Sequence, residues 1–190
     1  LCCLIFHGGE QAEIDTIAME DQATEVIISK TDITTGKELP GAKLQVLKKV
    51  KAAADDGKEV EKEEVITTIY GEKLEWVSTG EPKNIKGLPA GDYILRETAA
   101  PDGYTVAADV TFTVDDELKA VETVEMQDAP IVTSISKVDI AKADKELPGA
   151  TLQILKKVTA EDGTTSEVIE ATVYGEELQW TSGEKAKEIK

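Results

Sequence analysis

Between residues 24 and 130, apolar and polar positions alternate in short runs, and no long stretch has a convincing helical period. The alternation predicts strands at 25–31, 42–48, 64–70, 73–77, 92–98, 108–114 and 119–127. Turn chemistry separates them at Asp55-Asp56-Gly57, Tyr70-Gly71-Glu72, Pro89-Ala90-Gly91 and Pro101-Asp102-Gly103. Segments 49–63 and 77–86 read as loops. Several short strands punctuated by Gly and Pro indicate an all-β fold, a β-sandwich.

The same pattern occurs more than once. Lys30-Thr31-Asp32 recurs 107 residues later (137 − 30) as Lys137-Val138-Asp139. Lys37-Glu-Leu-Pro-Gly-Ala42 recurs as Lys145-Glu-Leu-Pro-Gly-Ala150, and Tyr70-Gly-Glu-x-Leu-x-Trp76 as Tyr174-Gly-Glu-x-Leu-x-Trp180. Met19-Glu20-Asp21 anticipates Met126-Gln127-Asp128. The chain therefore divides into three parts: 1–23, the terminal strand of a preceding repeat; 24–130, a complete repeat; and 131–190, a truncated following repeat. The third part stops before its counterpart of Gly87-Leu-Pro-Ala-Gly-Asp-Tyr93. Residues 1–9 match the expected strand poorly. Only Asp128-Ala-Pro-Ile131 joins one repeat to the next, which favours domains stacked end to end in a rod.

Strand parity singles out three ionisable residues. Side chains alternate between faces, so Lys30 shares the inward phase of Val26 and Ile28. Glu97 shares the phase of Tyr93 and Leu95, and Asp128 that of Val124 and Met126. One amine and two carboxyl groups are expected inside one core. Burial costs charged groups several kcal/mol, lowering a lysine pKa and raising that of a carboxylic acid. A neutral amine beside a neutral carboxyl group can form an amide. The Lys30 nitrogen would attack the Asp128 carbonyl, and protonated Glu97 would polarise it and shuttle protons as water leaves. Two alternatives stay open at this level: three solvent-touching strand ends, or a buried salt bridge without a covalent bond. The neighbouring copies carry the unpaired equivalents Lys137 and Asp21.

Composition narrows the function classes. A formal charge of −17 opposes binding to phosphate backbones and anionic membranes, and 4 % aromatics leave no stacking surface for nucleic acid. Cys2 and Cys3 are adjacent and His7 is the only histidine, so no disulfide framework, metal site or cofactor is expected. The longest apolar run, Leu1–Phe6, is too short to span a bilayer. The chain opens on Leu1 and reads as a fragment whose export signal lies elsewhere.

The runs Ile28-Ser-Lys-Thr-Asp32, Gly36-Lys-Glu-Leu-Pro-Gly-Ala42 and Gly91-Asp-Tyr-Ile-Leu-Arg-Glu97-Thr-Ala-Ala-Pro-Asp-Gly-Tyr104 resemble the B-type repeats of collagen adhesins (Cna-B-like) and of SpaA-type pilins. The resemblance covers 24–130 fully and 131–190 in part. It implies a prealbumin-like Greek-key sandwich with a spontaneous intramolecular isopeptide bond: lysine Lys30, acceptor Asp128 and catalytic glutamate Glu97. It also implies a stalk in the cell wall of a Gram-positive bacterium, with neighbouring repeats of the same chain as partners and host extracellular matrix reached through another domain. Glu81-Pro-Lys-Asn84 resembles the pilin motif whose lysine links subunits, but lacks its tyrosine. Asp55-Asp56-Gly57 and Asp115-Asp116-Glu117 lack the spacing of a calcium loop.

Two competing functions are a ligand-binding adhesin module acting through loops 49–63 or 77–86, and a hydrolase using Glu97 with Asp128. The lysine in the same core argues against the hydrolase. A Lys30–Asp128 bond would close a loop of 98 residues (128 − 30) near the two ends of the repeat. By analogy with disulfides this removes about 4–5 kcal/mol of unfolded-state entropy. In this chain Asp21 and Lys137 should both stay unreacted, because no counterpart of Glu97 accompanies them. Peptide mapping checks this, and a linked Asp21–Lys137 pair would contradict it.

Overall fold

A computed structural model of the chain describes residues 22–53, 59–115 and 122–190. Asp21, most of the predicted terminal strand 1–23, and the acids at 55–56 and 116–117 lie outside the described residues. Eight strands build the region 24–130: β1 (Glu25–Asp32), β2 (Lys43–Ala53), β3 (Glu59–Val65), β4 (Glu75–Val77), β5 (Lys83–Lys86), β6 (Gly91–Ala99), β7 (Val110–Val114) and β8 (Glu122–Asp128). The described residues contain no helix, and all of their regular structure is β.

The strands form two sheets. One has the order β5-β1-β8; the other runs β3-β2-β6-β7, with β4 also paired to β2. Most neighbours are antiparallel, but β1 and β8, the first and last strands, run parallel, with Val26 opposite Glu122 and Asp32 opposite Asp128. Both strands thus finish at the same pole of the domain. Val26, Ile28, Ile85, Val124 and Met126 from the first sheet meet Leu44, Val46, Tyr93, Leu95 and Phe112 from the second. Each fully buried side chain of this size contributes about 1.5–3 kcal/mol relative to exposure. Tyr93 and Phe112 stack at 5.6 Å between ring centroids. Trp76, expected in the core, lies half-buried against it.

Two expectations are corrected. The described parts of segment 49–63 are strand: β2 continues to Ala53 and pairs with β3 through Leu47↔Val65 to Ala53↔Glu59, so the strand expected at 64–70 ends at Val65. This ladder is mostly exposed and gains its support from main-chain hydrogen bonds and cross-strand Lys–Glu neighbours such as Lys51–Glu59, 3.1 Å apart. Segment 77–86 likewise contains a strand, since β5 adds to the edge of β1 with Ile85 buried opposite Val26.

Residues 131–190 reuse the same local pairings. Thr133–Ile135 pairs with Lys187–Ile189 as β1 does with β5, and Ile135 sits opposite Lys187 as Ile28 does opposite Lys83. Ser182 bonds the Leu147 carbonyl and the Ala150 amide as Ser78 bonds Leu39 and Ala42. Among the described residues, no facing strands of their own cover these pairs. Leu155, whose counterpart Leu47 is buried, is accordingly 45 % exposed, and Ile140 stands fully in solvent.

Ser78 Oγ accepts the buried Ala42 N–H at 2.9 Å and donates to the Leu39 carbonyl at 2.6 Å. Ser78→Ala leaves both groups unpaired and should lower stability by about 1–3 kcal/mol. Urea denaturation followed by near-ultraviolet circular dichroism reads this as a shifted midpoint; an unchanged midpoint would contradict it.

Candidate cross-linking site

Lys30 extends from β1 into the sandwich because strand alternation carries it to the face of Val26 and Ile28. In the parallel pairing Lys30 sits opposite Met126, so Asp128 follows two residues later on the same face of β8. Glu97 approaches across the core from β6, on the face of Tyr93 and Leu95. The structure therefore brings together Lys30, Asp128 and Glu97, which are 2 %, 0 % and 4 % exposed. Three charged side chains sealed this fully need one another, since each would otherwise lose its hydration without compensation.

Lys30 Nζ donates to Asp128 Oδ1 and lies 3.3 Å from Glu97 Oε1. The other Glu97 oxygen, Oε2, accepts the Ala107 backbone N–H at 2.7 Å, which fixes the orientation of the carboxyl group. Glu97 Oε1 and Asp128 Oδ2 are buried and accept no hydrogen bond. A proton held on one of the two carboxyl groups would give the cluster a balanced charge. Burial pushes the Asp128 carboxyl up to about 6; Lys30 pulls it down, and the neighbouring Glu97 pushes it further up.

Two supports were not singled out from the sequence. The Ala107 amide is a backbone group and leaves no residue-type signal. Glu38 accepts the Lys30 N–H at 3.2 Å and the Ser29 hydroxyl at 2.5 Å, pinning the backbone of the lysine strand. The repeat comparison contained that signal, because Glu146 accepts the Lys137 N–H at 3.0 Å and the Ser136 hydroxyl in the same manner. Lys137 itself is half-buried, and among the described residues none fills the Glu97 or Asp128 position beside it. Lys83, in the motif-like Glu81-Pro-Lys-Asn84 run, pairs with Glu72 at 2.5 Å and lies over the Trp76 ring. No cluster of His, Cys, Asp and Glu suited to a metal occurs among the described residues. No helix among them is long and apolar enough to cross a membrane.

A two-sheet sandwich whose first and last strands pair in parallel around a buried Lys–Asp–Glu cluster fits a prealbumin-like domain. The chain belongs to the SpaA prealbumin-like fold domain family, whose model matches residues 24–130. Similar solved structures include the Bacillus anthracis TIE protein, at 24 % identity and a TM-score of 0.41 over 89 % of this chain and 27 % of that one. The shaft pilin SpaA from Lactobacillus rhamnosus GG is similar at 20 % identity and TM-score 0.41, over 59 % of this chain and 47 % of the pilin. BcpA, the major pilin subunit of Bacillus cereus, follows at 23 % and 0.42, over 61 % and 31 %. This chain thus spans between about a quarter and a half of the length of these three structures. No match was found among curated proteins.

Lys30→Met would leave two buried carboxyl groups with no cation between them. Its cost is about 3–5 kcal/mol at neutral pH. The Asp128 carboxyl is pushed up to about 6 even with Lys30 beside it, and removing that cation raises it further, so protonation favours the folded variant more than the native chain. That contribution is present below about pH 4 and lost as pH rises through about 6. The variant should therefore be more stable, relative to the native chain, at pH 5 than at pH 8. Denaturation midpoints at the two pH values check this, and an equal deficit at both would contradict it.

Proposed function

We propose that the complete repeat is a structural stalk domain of a secreted, wall-attached Gram-positive surface protein, sealed by an isopeptide bond between Lys30 and Asp128. The observation that carries the reading is the contact of Lys30 Nζ with Asp128 in a dry core, with Glu97 3.3 Å from the same nitrogen. Family membership supports it. Burial pushes the Asp128 carboxyl up, and one proton passed to it from the Lys30 ammonium produces an amine beside a carboxylic acid. The amine nitrogen then attacks Asp128 Cγ. Protonated Glu97 polarises the Asp128 carbonyl, gives its proton to the departing hydroxyl and takes one back from the attacking nitrogen, so one C–N bond forms, one C–O bond breaks and water leaves. Glu97 ends as it began, and each domain reacts once. The fixed geometry supplies the effective concentration that two side chains in water lack.

The parallel pairing gives the bond its mechanical sense. Tension enters at the start of β1 and leaves beyond the end of β8. Without a covalent link it would shear the two strands past one another. With the link, load runs along β1 to Lys30, across to Asp128 and out of the domain, while residues 31–127 stay off the path. This is a non-enzymatic role in the ordinary sense, with self-modification as its only chemistry.

The intact mass of the denatured chain tests the reading. The native sequence should be lighter than its calculated mass by one water, and Lys30→Ala and Glu97→Ala should each show the full mass. Full mass in the native chain would overturn the bond and leave a salt-bridged core.

A further inference from the structure

The joint between the complete repeat and the segment after it carries a contact that the cross-link does not require. Residues 129–131 are zipped to the 103–105 loop: Thr105 N–H donates to the Ala129 carbonyl at 3.0 Å, and Ile131 N–H to the Gly103 carbonyl at 2.8 Å. Tyr104 bridges to Pro130 in the same ladder. The Tyr104 hydroxyl donates to Asp32 Oδ2 at 3.1 Å, at the end of β1. A second hydroxyl reaches the same oxygen from the following segment, Tyr174 at 3.0 Å. The carboxylate that receives both is 3 % exposed.

Gly103 shapes the socket. Its φ is +84°, and a β-carbon there would overlap the Val173 side chain of the following segment. Glycine at 103 thus serves the turn and also the close approach of the next repeat. Burial by itself raises the Asp32 carboxyl, but the Thr34 N–H and the hydroxyls of Tyr174, Thr35 and Tyr104 outweigh it and hold it below the usual carboxylate range.

The part that enters the socket is a repeated device. Tyr174 sits in a turn where Thr172 N–H donates to the Glu176 carbonyl at 2.9 Å and Gly175 N–H to Thr172 at 2.9 Å. Its counterpart around Tyr70 has the same bonds, Thr68 to Glu72 at 2.9 Å and Gly71 to Thr68 at 3.0 Å. That turn lies at the opposite pole, where Ile69 N–H meets the Gly87 carbonyl and Gly87 N–H meets Thr24. Ile69 and Tyr70 are 66 % and 69 % exposed there, against 43 % and 42 % for Val173 and Tyr174 in the occupied joint. A socket at one pole and a matching plug at the other make a head-to-tail interface, the type that builds open filaments.

We propose that Asp32, Gly103 and Tyr104 form a socket that receives Tyr174 and Val173 of the following repeat, locking successive domains at a set angle, and that Ile69 and Tyr70 present the same plug to a preceding repeat of this kind. The inference rests on the tandem-repeat reading and not on the isopeptide bond. A stalk stiffened along each domain gains little reach if its joints swivel, so the clasp supplies the second half of a rigid rod.

Amide nitrogen relaxation on the full chain tests it. In the native chain, residues 24–130 and 131–190 should tumble with one rotational correlation time. Tyr174→Phe and Gly103→Ala should each free the joint, dropping the correlation time of 131–190 by a factor of about two, as for a smaller independent body. Tyr70→Phe, whose turn meets no socket among the described residues, should change nothing. Independent tumbling in the native chain, or joint tumbling retained in both Tyr174→Phe and Gly103→Ala, would overturn the clasp. Neither result depends on the mass deficit, so the clasp and the cross-link stand or fall separately.

Discussion

The organising constraint of this molecule is a lysine ammonium enclosed between two carboxyl groups where no water can solvate any of them. Everything around the cluster serves that enclosure. The parallel pairing of β1 with β8 sets Lys30 and Asp128 on one face, two register steps apart. The facing sheet delivers Glu97, and the Ala107 amide and the Glu38 carboxylate hold the glutamate and the lysine strand in place. A buried ion pair seldom adds net stability over an apolar pair of the same volume, because desolvation offsets the attraction. Its presence here fits the proposed chemistry: the same desolvation pushes the Asp128 carboxyl up, towards the neutral acid from which an amide can form.

Much of this was legible in the sequence where burial leaves a periodic mark. Val26, Ile28 and Lys30 alternate, as do Tyr93, Leu95 and Glu97, and Val124, Met126 and Asp128, so parity alone assigned all three ionisable residues to the inner face. Parity is silent where a strand has no inner face. The β2–β3 ladder from Lys48 to Glu64 carries charged side chains on both sides and clears the core, so its strand character came only from cross-strand pairing. β5 shows a single apolar residue, Ile85, and a lone apolar position defines no period. The topology was also beyond reach: nothing in the residues of β1 and β8 states that the two strands are parallel neighbours, and the mechanical argument depends on that.

The joint shows a different limit. Tyr70 and Tyr174 were visible as repeat markers, and Pro101-Asp-Gly-Tyr104 as turn chemistry, yet their meeting at Asp32 is a long-range contact across 142 residues. Asp32 itself, repeated as Asp139, stood out in the sequence only as part of a repeated run. Once placed, the motif after Glu97 acquires a physical reason. Its glycine permits close approach, its tyrosine binds the end of β1, and its backbone holds the linker. One loop thus follows the strand of Glu97 directly and meets both the end of β1 and residues 129–131.

A stalk domain sealed in this way has a mechanical signature that neither a salt bridge nor a well-packed core can imitate. Single-molecule stretching of the chain, held at its two ends, measures it most directly. The account predicts that the complete repeat releases only the few residues outside the Lys30–Asp128 link, with no step from the 98-residue loop (128 − 30) at forces that unfold ordinary domains. A step of roughly 300 Å, the contour of that loop at its full extension, would contradict it.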